Sequence, residues 1–151
     1  MKKFKFRLQV VLDMREKELE QRQMEAAKIL TVLKKQEEDL QEVIQSQIRN
    51  SNQLEALFGQ PTLDIQQVEA HRDYGLKLIT DEKNRQRIVD NTKNLLKIKQ
   101  KEVSEAHKKV EVLKKLKEKQ EKEYYKQFLD AEIKEIDDIT SARFNIEWHN
   151  Y

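Results

Sequence analysis

Between residues 8 and 57 the chain repeats itself at alternating steps of four and three. The positions hold Leu8, Leu12, Arg15, Leu19, Arg22, Ala26, Ile29, Leu33, Gln36, Leu40, Val43, Gln47, Asn50, Leu54 and Leu57. Ten of these 15 are apolar, in a segment otherwise crowded with Glu, Gln and Lys. Leu12, Leu19, Ala26, Leu33, Leu40, Gln47 and Leu54 keep a strict seven-residue period. A repeat of this kind draws a narrow apolar stripe along one helix, which must be buried against another helix with supercoiling.

The stripe breaks at Phe58-Gly59-Gln60-Pro61-Thr62-Leu63, which holds the only Pro and one of the two Gly. Gly59 suits a left-handed C-terminal cap, and Pro61 cannot continue the helix. Asp64 then reads as an N-cap, with Gln67 completing a capping-box-like pair and Leu63 placed to pack on Val68 as a hydrophobic staple. A second stripe follows through Val68, Leu78, Val89, Leu96, Val103, Ala106, Val110 and Leu113. Gly75 weakens its first turns, so residues 64 to 75 can stand as a separate short piece.

These signals predict an all-α fold. Two long helices form an antiparallel coiled-coil hairpin in a single domain over residues 1–151, with helix 1 at about 5–58, a turn at 59–63 and helix 2 at about 64–145. A reversal near Pro61 places Leu8 opposite roughly Leu113. Helix 2 is then the longer arm and overhangs by ~45 Å at 1.5 Å per residue. The overhang carries Tyr125, Leu129, Ile133, Ile136 and Ile139, an apolar stripe without a partner in its own chain, which implies a partner in another.

Composition excludes several classes of function. Charged residues make up 38% and apolar residues 37%, too few of the latter for a multi-layer core. Thirty basic and 28 acidic residues leave a net charge of +2, which does not suit a nucleic-acid footprint. Ten Lys between Lys97 and Glu123 are interleaved with six Glu. They read as a solvated face with i,i+4 pairs such as Glu105–Lys109, Glu111–Lys115 and Glu118–Lys122. Lys2, Lys3, Lys5 and Arg7 add positive charge at the same end, fit to meet an acidic protein surface. With no cysteine and no signal-like or membrane-spanning apolar run, the chain is expected in the cytoplasm.

No catalytic, cofactor or metal site is expected. His71, His107 and His149 are scattered and read as surface residues. Glycine-rich phosphate loops and nucleophile–base arrangements are missing from the sequence, and a two-helix rod offers no pocket that excludes water. The polar seam residues Arg15, Arg22, Gln36, Gln47 and Asn50 either set the register or mark where the helices part for a partner. The final stretch, Arg143 to Tyr151, is either an aromatic docking tail or a frayed end.

The two ends together resemble one known family. Phe4-Lys5-Phe6-Arg7-Leu8, then Val11-Leu12-Asp13 and Arg15-Glu16, is similar to the opening pattern of flagellar FliJ proteins. Ala131-Glu132-Ile133-Lys134-Glu135-Ile136-Asp137-Asp138-Ile139 followed by Arg143-Phe144 resembles their closing signature. The resemblance implies a non-catalytic stalk or coupling factor of the flagellar type III export apparatus, similar to the coiled-coil part of a rotary-ATPase central stalk. Implied partners are the hexameric export ATPase, the cytoplasmic domain of the export-gate membrane protein, and export chaperones. These would bring it peripherally to the inner face of the membrane and tie it to motility. Carried over, Phe4, Phe6, Leu8, Val11, Arg15, Leu129, Glu132, Ile133, Ile136, Asp137 and Ile139 would contact the ATPase ring. Val43, Tyr74 and Leu78 would mark the export-gate face. The competing readings are the equivalent stalk of a virulence-type secretion system, a coiled-coil scaffold that self-associates through the overhang, and a nucleic-acid-binding rod.

Overall fold

A computed structural model describes residues 2–149, with side chains through residue 148. The fold is all-α: α1 (Gln9–Phe58) and α2 (Ile65–His149) pack against each other as a helical hairpin. The contacts divide into two units, Met1–Leu19 with Glu105–Tyr151, and Glu20–Ser104.

The Glu20–Ser104 unit holds the turn. The 4–3 spacing of α1 predicts its core, and Leu33 and Leu40 are buried against Val89, with Ile44 and Leu96 packed around them. Val89 is 1% exposed. Burying a side chain of this size contributes about 1.5–3 kcal/mol, so a few such positions carry most of the pairing.

The turn closes differently from the expectation. Among the described residues no glycine has positive φ. Instead α1 ends by tightening: the Gly59 amide donates to the Ala56 carbonyl (3.2 Å) and Gln60 to Leu57 (3.4 Å). These i→i+3 bonds satisfy the last carbonyls without a left-handed residue. Asp64 caps α2 as predicted, its Oδ1 accepting from the amides of Gln66 (3.0 Å) and Gln67 (3.4 Å). From there α2 runs unbroken through Gly75, so residues 64 to 75 are not a separate piece.

The other unit is built on the two ends of the sequence. Helix 1 was expected from about residue 5, whereas α1 starts at Gln9. The preceding segment is non-helical, and a turn in which Gln9 N donates to Phe6 O (3.1 Å) aims Phe6 inward. Phe6, Leu12 and Val110 form the core, with Phe4, Leu19, Leu113 and Leu116 against it. Leu8, the first residue of the predicted stripe, is exposed because it lies in that turn. The Gln9 side chain accepts from Lys117 Nζ (2.8 Å) and donates to Asp13 (2.8 Å).

Candidate partner-binding surfaces

Beyond Phe128 the neighbours of α2 run out. Every described side chain from Leu129 to Trp148 is exposed. Leu129, Ile133 and Ile136 stand at i, i+4 and i+7 and so share one helix face, with Ile139 beside them; Ile133 is 50% and Ile136 62% exposed. Carboxylates rim this stripe: Asp130, Glu132, Glu135, Asp137 and Asp138, against Lys134 alone on the basic side up to Ile139. Phe144, Ile146 and Trp148 continue the exposed apolar character. Asn150 and Tyr151 of the aromatic tail lie outside the described residues.

The N-terminal candidates do not join that stripe. Phe6 is in the core, and Phe4 is half-buried with its ring centroid 5.7 Å from that of Tyr124. The Tyr124 hydroxyl donates to the Lys2 carbonyl. Arg15 is partly buried and pairs with Glu18 at 3.2 Å. Leu8 and Val11 remain exposed. The sequence reading missed Tyr124, whose role depends on where the first residues fold back.

The candidates for the gate face divide as well. Val43 (8% exposed) and Leu78 (4%) belong to the seam, so their side chains are occupied in helix pairing, and Tyr74 alone of the three is exposed. On the other flank of α2 from Tyr74, Leu76 and Ile79 are exposed. They line a shallow groove with Leu54, Ser51 and Arg72. Leu76 and Ile79 fall off the seam spacing, which is the one sequence signal that marks them.

Under this groove lies a polar crossing. Asn50 is buried; its Nδ2 donates to the His71 carbonyl (2.9 Å) and its Oδ1 lies 2.8 Å from His71 Nδ1. With Nδ2 committed to a carbonyl, Oδ1 is the acceptor, so the His71 ring presents Nδ1–H to it. His71 is therefore a seam residue and not a surface one. Gly75 explains itself here: a Cβ at that position would stand 3.1 Å from Asn50 Nδ2. Gln47 makes a second crossing, donating to Glu82 (2.8 Å). Further along the unit, Glu25 pairs with Arg22 (3.4 Å) and Lys99 (3.5 Å), and Glu102 with the same two cations (3.6 and 3.5 Å). Asp39 accepts a hydrogen bond from Lys35 and, with its charge, raises that ammonium above its ordinary pKa. Of the three expected surface pairs, Glu118–Lys122 is formed at 3.1 Å.

Among the described residues no group of three or more His, Cys, Asp or Glu side chains could hold a metal ion, and no helix is long and apolar enough to cross a membrane. What these surfaces offer is contact: an acid-rimmed apolar stripe in one unit and a shallow apolar groove in the other.

The family model for flagellar FliJ protein matches residues 4–147, taking in both terminal motifs. The chain belongs to this family. Neither the curated proteins nor the solved structures yield a match. FliJ membership carries a role in flagellar export, as a non-enzymatic component. The matched span ends just short of Trp148, so the FliJ pattern covers almost the whole exposed stripe.

Proposed function

We propose that the chain is a stalk or coupling factor of the flagellar type III export apparatus. In this reading the stripe Leu129, Ile133, Ile136 and Ile139, with Glu132 and Asp137 on its rim, enters or caps the hexameric export ATPase. Tyr74, exposed where Val43 and Leu78 are buried, faces the cytoplasmic domain of the export gate. Export chaperones are further partners, and peripheral placement at the membrane follows from the gate contact. The observation that carries the reading is the run of four half-exposed apolar side chains on α2 past its last cross-helix neighbour.

The mechanism is asymmetric contact. A single helix meeting a ring of six subunits touches them unequally, and it biases their nucleotide states by as much as its affinity differs between those states. Half-exposed Leu and Ile side chains recover about 1 kcal/mol each when covered, so the four of the stripe supply about 4 kcal/mol. That is near the lower end of the cost of association, about 4–15 kcal/mol, so the carboxylate rim must add to it. The test is steady-state ATP hydrolysis by the cognate export ATPase with and without the protein. Stimulation is expected from the native chain and its loss from Ile133→Asp/Ile136→Asp. Unchanged stimulation by that variant refutes the ring contact.

A further inference from the structure

The unit that carries the exposed stripe is electrically divided along α2. Residues 2–7 hold four basic and no acidic side chains, and residues 108–126 hold eight Lys and four Glu. Residues 129–148 reverse this, with six acidic and two basic side chains. The Gln9–Lys117 and Lys2–Tyr124 hydrogen bonds set the N-terminal basic cluster alongside the lysine-rich stretch. One face of α2 runs through both zones at 4–3 spacing: Lys115, Lys119, Lys122 and Lys126, then Leu129, Ile133 and Ile136. All seven are exposed. The lysines supply long apolar stems with charged tips, which cover hydrocarbon while the tips meet carboxylates.

We propose that this face is an interface with a second copy of the chain, the two α2 helices lying antiparallel about a two-fold axis near Lys126. In that arrangement the stripe of each copy lies on the lysine zone of the other. Ile133 faces Lys119, Asp130 stands beside Lys122, and Asp137 beside Lys115. The contact is isologous, so both halves form together and association stops at the dimer. Charge selects this register. A pair centred within the stripe would set Glu132 against Asp137 of the second copy, and a parallel pair would stack lysine on lysine and carboxylate on carboxylate. The dimer stands independently of the export reading. A consequence that rests on that reading is competition, because dimer and ATPase ring would cover the same Ile133 and Ile136 side chains, making the dimer a reserve form.

The experiment is sedimentation velocity of the full chain over a wide concentration range at low and high salt. A monomer–dimer equilibrium is expected, weakened by salt because the rim charges are exposed. Two charge-reversed variants, Lys115→Glu/Lys122→Glu and Asp130→Lys/Asp137→Lys, should each be monomeric, while their equimolar mixture forms a heterodimer. The chain has no cysteine, so single substitutions report geometry cleanly. Lys126→Cys should cross-link to itself and Thr140→Cys should not. A monomer at every concentration, a dimer indifferent to both reversals, or cross-linking at both cysteines overturns the proposal. ATPase stimulation is read separately with the lysine-reversed variant, which leaves the stripe and its carboxylate rim intact, so loss of the dimer and loss of the ring contact are distinguishable.

Discussion

Gly75 sits inside a helix, where alanine is more favourable by about 1 kcal/mol. The simplest expectation is that Gly75→Ala stabilises the chain. The structure argues otherwise, because the new methyl would stand 3.1 Å from Asn50 Nδ2, several tenths of an ångström inside ordinary contact. Asn50 cannot retreat freely: hydrogen bonds of 2.9 and 2.8 Å hold its carboxamide to His71. Stretching two such bonds at a buried site costs about 1–2 kcal/mol, which equals or exceeds the helix gain. Gly75→Ala alone should therefore be neutral or destabilising by up to about 1 kcal/mol. In an Asn50→Ala background the obstacle is gone, and the same substitution should stabilise by about 1 kcal/mol. The coupling between the two positions is then about 1–2 kcal/mol, well above the scatter expected for independent sites. Urea unfolding followed by circular dichroism across the four-member cycle measures it. Equal stabilisation by Gly75→Ala in both backgrounds would show that the glycine does not serve the asparagine, and the reasoning would fail.

Two further outcomes follow from burial and capping. Val89→Ala, at a position 1% exposed, should cost about 2 kcal/mol in the same urea titration, whereas Val112→Ala, 65% exposed, should stay within about 0.5 kcal/mol. Asp64→Ala removes the acceptor for the Gln66 and Gln67 amides and should cost about 1 kcal/mol, with faster hydrogen exchange at those two amides and unchanged exchange near Val110.

The seam was legible in the sequence because its signal is local. Leu12, Leu33, Leu40, Val43 and Leu57 are buried where the 4–3 count puts them, and Val89, Ala106 and Val110 answer from α2. The exposed Leu129–Ile139 stripe was legible from its own spacing, since Leu129, Ile133 and Ile136 recur at four and three on a face of α2 other than the seam. What failed to show depends on neighbours far apart in the chain. His71 looked like a surface residue until Asn50, 21 residues away, was placed against it. Gly75 looked like a weak point for the same reason. Phe6 precedes the repeat and enters the core only because the chain turns at Gln9. Val43 and Leu78 were read as gate contacts, and burial shows their side chains turned toward the partner helix, which spacing alone does not distinguish from a docking face.

The extended start of the chain has a mechanical meaning. Helix pairs ordinarily open from their loose ends, where each residue is held by little beyond its own turn. Here Phe4 and Phe6 lay two rings across α2, and the Lys2 carbonyl is clasped by a tyrosine hydroxyl 122 residues along the sequence. Unzipping from this side must first lift that aromatic clasp, so the join is guarded where a bare coiled coil would begin to peel.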